Sequence, residues 1–169
     1  MKVIWAPWRM EYILSENEEG CFLCELVDAE PSEENLLLFS SERAMVLMNR
    51  YPYNNGHILV APKSHTSDPS EIDAEEYGET MELFRFSLGV LERKLNPEGF
   101  NAGLNLGKSA GAGLEDHLHW HIVPRWQGDT NFMPVISDAR VIPEAIIKTY
   151  DGLVDQFSEF TQRMEEVKR

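Results

Sequence analysis

Three histidines alternate with apolar residues in His117-Leu118-His119-Trp120-His121-Ile122-Val123, out of only five in the chain. On an extended strand, alternation at a period of two puts the imidazoles on one face. Leu118, Trp120 and Ile122 then fall on the other. Side chains at i and i+2 stand roughly 6.5–7 Å apart, so the middle ring has two others within reach of the same ligand. Two chemistries fit such a strip. One is a metal site, because a His-x-His pair can supply two ligands to zinc. The other is nucleophilic catalysis, in which a neutral imidazole attacks while its neighbours orient it and charge the pocket. The phosphoryl adduct of imidazole is labile, so one hard displacement becomes two easier ones.

Two further features carry chemistry. Cys21-Phe22-Leu23-Cys24 holds the only two cysteines. That is too few for a disulfide scaffold and fits a metal or redox pair in a reducing compartment. Residues 107–113, Gly-Lys-Ser-Ala-Gly-Ala-Gly, superficially suggest a phosphate loop. The Walker pattern fails, because Ala102 stands where its first glycine belongs and the segment leads into a strand. Gly-x-Gly-x-x-Gly fails as well, at Asp116. Placed directly before the histidine strip, Gly111, Ala112 and Gly113 read as backbone amides that cradle phosphate.

Stepping outward, strands are expected at 36–39, 44–48, 57–61, 100–106 and 117–123, with a turn-rich Tyr51-Pro52-Tyr53-Asn54-Asn55-Gly56 between the second and third. Residues 70–96 read as a helix whose apolar stripe is Tyr77, Met81, Phe84, Leu88, Leu91 and Leu95. Ser70 or Asp73 can cap its start, and Asn96-Pro97 ends it. A last helix is expected over about 143–168, with Ile147, Tyr150, Val154, Phe157, Met164 and Val167 inward and Pro143 in its first turn. Strands, helix, strands, helix is an α+β order with a mostly antiparallel sheet of about five strands. A single domain over 1–169 follows from the length.

The charge excludes some functions. Fifteen basic against 29 acidic residues leave a net charge of −14. This disfavours binding to long nucleic acid, which needs a basic surface, but leaves room for a small anion held locally. No apolar run is long enough to span a membrane. Pro7, Arg9 and Glu11 break up any signal-peptide pattern, so a cytoplasmic location is expected.

The histidine strip resembles the signature of the histidine triad family. Upstream, Asn49-Arg50-Tyr51-Pro52-Tyr53-Asn54-Asn55-Gly56-His57 is similar to that family's Asn-x-x-Pro-x-x-x-Gly-His block. The flanks, Trp5-Ala6-Pro7-Trp8-Arg9 and the stretch from Pro124 to Phe132, resemble the branch of diadenosine tetraphosphate phosphorylases and related hydrolases. The resemblance covers about 21–125, which it implies is the core of the domain, and it implies the family fold, with one long central helix beside the sheet. It also implies a hydrolase or nucleotidyl transferase acting on the α-phosphate of a dinucleoside polyphosphate or a similar nucleotide. His119 would attack, and His121 and His57 would stabilise the phosphate. Asn49 would bind ribose and Asn105 would contact phosphate. A homodimer is implied too, and Trp120, on the face away from the histidines, is the sequence's own weak support for it. Many members carry Gln, Ser or Thr just before the triad. Gly113 and Leu114 stand here instead, which leaves leaving-group handling open.

The resemblance also orders the cysteines. Zinc-bearing triad proteins pair a Cys-x-x-Cys with a distant histidine and the first triad histidine, which maps onto Cys21, Cys24, His65 and His117. Four protein ligands make such a zinc structural. No organic cofactor is expected. Two other readings stay open: a three-histidine catalytic zinc enzyme, and a nucleotide-binding regulatory protein with little turnover.

Overall fold

The computed structural model describes residues 20–129 and 144–160. The N-terminal flank, Thr130 to Phe132, Pro143 and the helix expected beyond residue 160 lie outside them. A short helix α1 (Phe22–Glu25) leads to β1 (Leu37–Ser40), β2 (Ala44–Met48) and β3 (Ile58–Pro62). Helix α2 (Ala74–Leu95) follows, then β4 (Gly99–Leu104), β5 (Trp120–Arg125) and α3 (Ile146–Val154). The five strands form one antiparallel sheet in the order β1-β2-β3-β5-β4. The fold is α+β, as expected. β5 is inserted between β3 and β4, so the histidine strand is interior and β4 is an edge.

The sheet has two unlike faces. Val46, Ile58, Val60 and Ile122 pack on one face against Leu83, Val90 and Leu91 of α2 and Tyr150, Leu153, Phe157 and Phe160. On the other, Met45, Leu47, Leu59 and Ala61 are covered by Leu23 and Leu26. The same register row continues from Leu47 through Leu59 and His121 to Gly103. The cover from α1 reaches only the β1–β3 half of this second face. His121 therefore lies where the cover ends.

Helix α2 begins at Asp73, whose carboxylate accepts from the amides of Glu75 and Glu76 at 2.9 Å. This satisfies two of the helix's orphan donors. It ends at Asn96 in the left-handed conformation. Its inward line differs from the expected stripe. The buried residues are Glu76, Thr80, Leu83, Phe86, Ser87, Val90 and Leu91, while Tyr77 is 44% exposed. Counting only apolar residues rotated the face, because two hydroxyls on the true line hide their polarity. Thr80 donates to the carbonyl of Glu76 at 2.8 Å and Ser87 to that of Leu83 at 2.7 Å. Each bonds its own helix and presents a small flank to the sheet.

Two other expectations shift. β5 begins at Trp120, so only His121 of the three histidines sits in regular strand. Helix α3 begins at Ile146, and a 3₁₀ turn at Asp155–Phe157 interrupts it. Ile147 is exposed, and Leu153 and Phe160 take the inward places beside Tyr150 and Phe157. Gly56 turns the chain into β3 with φ +70°, where a Cβ would collide with Leu95 of α2. Only glycine combines that dihedral with that contact.

Candidate active site and metal-ligand cluster

The structure splits the histidine strip in two. His119 and His121 stay together, ring centroids 5.0 Å apart. His117 turns away to the cysteines. Its Nδ1 lies 3.3 Å from Cys21 Sγ and 3.5 Å from Cys24 Sγ. The alternating partners still go to the apolar core, Leu118 and Trp120 to the cluster with Ile72 and Ile122 to the cluster under α2. Trp120 packs with Leu118 and Ile72, and Tyr77 meets its ring edge-on at 6.1 Å. It offers no aromatic surface to a second copy, contrary to the expectation above.

Hydrogen bonds to groups of fixed polarity assign the neutral tautomers. The His117 carbonyl can only accept, so His119 Nδ1 donates to it at 2.9 Å. That leaves the lone pair of His119 on Nε2. The amide of Tyr53 donates to His57 Nδ1 at 3.1 Å, which puts the His57 proton on Nε2. His57 Nε2 then donates to His121 Nδ1 at 2.9 Å, and the His121 proton is on Nε2. Asn105 Nδ2 lies 3.5 Å from that nitrogen. Two N–H donors thus converge where an anionic oxygen would sit.

Burial favours the neutral form of His119 and His121. Desolvation lowers the pKa of His119, against a smaller opposing effect of its bond to the His117 carbonyl. Burial, then the charge of His119, pushes His121 down to about 4. A histidine whose folded pKa lies below its unfolded value near 6.5 gives full stability above that value and loses it as pH falls toward the folded one. His121 is expected to remain neutral at pH 5.5 in ¹⁵N NMR. Titration near 6.5 would contradict the buried relay.

The other expected ligand-binding groups are only partly available. Asn49 Oδ1 accepts from the Tyr51 amide at 2.9 Å, which leaves its NH₂ group for a ligand. In the glycine loop, the Gly111 amide already donates to Lys108 O at 2.9 Å and the Ala112 amide to Gly107 O at 3.4 Å. The expected cradle of three amides therefore reduces to Gly113 in this conformation. Leu114 is no leaving-group handle; it packs on the core beside Cys21 and Val27.

Cys21, Cys24, His65 and His117 bring four ligand atoms within 4.8 Å of one another. Cys24 Sγ is 3.1 Å from His65 Nδ1. Tetrahedral zinc with Zn–S ~2.3 Å and Zn–N ~2.0–2.1 Å sets its donors ~3.3–3.8 Å apart; the three sulfur–nitrogen separations of 3.1, 3.3 and 3.5 Å lie near that range. The His117 tautomer also fits, because Nε2 donates to Pro62 O at 2.9 Å and turns the Nδ1 lone pair toward the thiols. Such a backbone partner is the usual outer-shell support of a ligating histidine. The Cys24 thiol is pushed up to about 11 by desolvation, with further effects of the neighbouring Cys21 and Glu25. Paired thiols of this kind ionise when a cation stands between them.

A family model for the HIT domain matches residues 30–128. The chain belongs to the HIT family. It is 35% identical over 154 residues to the AP-4-A phosphorylase of Mycobacterium tuberculosis (strain ATCC 25618 / H37Rv), covering 86% of this chain and 79% of the relative. It is 28% identical over 132 residues to bis(5'-adenosyl)-triphosphatase of Dictyostelium discoideum, covering 78% and 87%. A solved Zn-bound histidine triad family protein from Mycobacterium smegmatis superposes with a TM-score of 0.63 at 22% identity, covering 85% of this chain and 97% of that one. The last likeness is one of fold.

The HIT motif by itself does not disclose several residues that hold this site. Tyr53 stacks on His57 at 4.7 Å and on His121 at 5.9 Å. In sequence it was simply part of a turn. Asn54, 8% exposed, donates to Pro124 O at 3.1 Å and to Asp129 Oδ2 at 2.8 Å, which ties the turn to the end of β5. Asp129 in turn grips Arg125 at 2.6 and 2.8 Å. Glu76, 4% exposed, accepts from the amide and hydroxyl of Ser64 at 2.8 and 2.5 Å. It thereby holds the loop that carries His65, and Thr66 O in that loop accepts from the Leu118 amide at 2.8 Å. The metal-ligand loop and the histidine segment are thus one hydrogen-bonded unit. Glu76 carries no signal of this in the sequence, where it sits in an acidic run that reads as solvated surface.

Proposed function

We propose that the chain is a nucleotide hydrolase or nucleotidyl transferase that attacks the α-phosphate of a dinucleoside polyphosphate, with His119 as nucleophile. The observation that carries this is the bond from His119 Nδ1 to the His117 carbonyl. It leaves a neutral, buried ring with its Nε2 lone pair available, beside two donors that would receive phosphate oxygens. The names of the relatives from Mycobacterium tuberculosis and Dictyostelium discoideum support the substrate class.

The Nε2 lone pair forms an N–P bond at the α-phosphorus, and the P–O bond to the leaving phosphate breaks with its electron pair on oxygen. Water or phosphate then forms a new P–O bond, and the N–P bond returns its pair to Nε2. The acceptor's proton, where it has one, leaves to solvent or to the departed phosphate. His121 Nε2–H, backed by His57 and the Tyr53 amide, stabilises charge on the non-bridging oxygens in both steps. Asn105 and the Gly113 amide add donors, and the Asn49 NH₂ group binds ribose. Incubation with diadenosine tetraphosphate, followed by quenching without acid and intact mass analysis, tests the reading. A nucleotidyl adduct is expected; adenosine polyphosphate turnover without one, lost on chelation and restored by zinc, would favour three-histidine metal chemistry instead.

Zinc is the metal proposed for Cys21, Cys24, His65 and His117. When bound it neutralises two thiolates and cross-links the N-terminal segment, the His65 loop and His117. With four protein ligands it leaves no open position for substrate. Through the His117 carbonyl, the cluster also sets the orientation of His119.

A homodimer is proposed as well. Its support is β4, which ends the sheet and has no strand on its outer side among the described residues. An unpaired edge is a template for a second copy. Sedimentation at micromolar concentration is expected to give twice the chain mass, and a monomer there would overturn the proposal. No helix among the described residues is long and apolar enough to cross a membrane.

A further inference from the structure

We propose that the open cleft on the β4 side of His121 is a subsite for the second nucleoside, the one that departs on the leaving phosphate; this rests on the nucleotidyl-transfer reading above. The cleft has a volume of about 240 Å³, and its lining includes Tyr53, Asn101, Gly103, Asn105, His121 and Val123.

Its position follows from strand order. β5, carrying His121, stands between β3 and β4. Asn49 ends β2, and its amide donates to His57 O at 2.9 Å, just before β3. The histidines therefore lie between Asn49 and the cleft. A substrate with a nucleoside at each end of a polyphosphate, reacting at His119, places one nucleoside at Asn49. The other continues past His121 toward β4.

The lining chemistry suits a nucleoside better than a phosphate. Among the described residues its lining holds no lysine, arginine or carboxylate; Arg125 reaches only its rim, through the Asn101 side-chain carbonyl oxygen, and burial pushes His121 down to about 4. Gly103 is the register partner of His121. A Cβ there would meet nothing within 4 Å, so the floor is bare backbone that a flat ring can approach. Tyr53 makes a wall, its ring 42% exposed and braced against both His57 and His121. Asn101 and Asn105 share a face of the β4 segment, roughly 13 Å apart. Asn101 Oδ1 accepts from Arg125 Nη1, which leaves the Asn101 NH₂ group, and Asn105, whose NH₂ group stands beside His121 Nε2, keeps its Oδ1; one donor and one acceptor can thus meet ring edges or ribose hydroxyls. An aromatic wall, an open floor and amide donors and acceptors are what a planar nitrogen heterocycle needs.

The test compares kcat/KM for diadenosine tetraphosphate with that for ATP, whose leaving group carries no nucleoside. The ratio cancels any general damage to the histidine relay. Stacking of one base is worth roughly a 5- to 150-fold effect. Tyr53→Ala, and Gly103→Val, which fills the floor, are each expected to lower the ratio by that factor. Tyr53→Phe is expected to retain it. An unchanged ratio in Tyr53→Ala and Gly103→Val, with both substrates falling together or neither falling, would overturn the subsite while leaving the catalytic reading intact. A wild-type protein that forms a nucleotidyl adduct from neither substrate would sink the catalytic reading and the subsite with it.

Discussion

His119→Asn is expected to eliminate the nucleotidyl-enzyme and to lower turnover by ~10⁴ or more, while nucleotide binding stays within a few-fold of wild type. The reason lies in how the groups are divided. Asn49, Asn105 and the Gly113 amide would bind the substrate, and none of them is removed. The Nε2 lone pair is removed, and no other group can replace it. His121 Nε2 carries a proton, fixed there by the relay that starts at the Tyr53 amide and passes through His57. His117 Nδ1 faces the thiols. Loss of a single stabilising donor costs ~10²–10³, so His121→Ala and His57→Ala are expected to fall far less than His119→Asn and to keep a detectable adduct. Peptide mapping of the trapped adduct decides it. An adduct that persists in His119→Asn, or that maps to His121, would overturn the role given to the middle histidine.

The double variant Cys21→Ser, Cys24→Ser is expected to lose its zinc, from one ion per chain to near none by metal analysis of protein purified without chelator. A ligand present at about 1,000 times its Kd stabilises the native state by about 4 kcal/mol. For a chain of this size each kcal/mol moves Tm by ~2–4 °C, so a loss on the order of 10 °C is expected. Turnover should fall too, by ~10–100-fold, the usual effect of disturbing the support of a site. The path is short: the His117 ring sits in the cluster, and the His117 carbonyl orients His119. Unchanged zinc content in the double variant would refute the ligand set. Zinc loss with full activity would refute the coupling to His119.

The sequence by itself determined the parts that depend on local periodicity and on residue type. Alternation at 117–123 sent Leu118, Trp120 and Ile122 inward. Asn96 ended the long helix, and of the two caps offered for its start Asp73 is the one used, while Ser70 falls in a separate 3₁₀ turn at Pro69–Glu71. The spacing of Cys21 and Cys24 announced a ligand pair, and the two histidine blocks were enough to suggest the family. These features were legible because each is set by neighbours a few residues away. Tertiary structure decided what depends on groups remote in the chain. It sent His117 to the cysteines and kept His119 with His121, although the three alternate identically in sequence. It fixed the tautomers of His57, His117 and His119 through peptide groups, at Tyr53, Pro62 and His117, and that of His121 through His57; a backbone donor or acceptor leaves no mark in the sequence. It turned α2 so that Glu76, Thr80 and Ser87 face inward, because their polar groups found partners in Ser64 and in the helix's own carbonyls. Whether a polar side chain is buried depends on whether it is satisfied there, and the satisfying group belongs to another part of the fold.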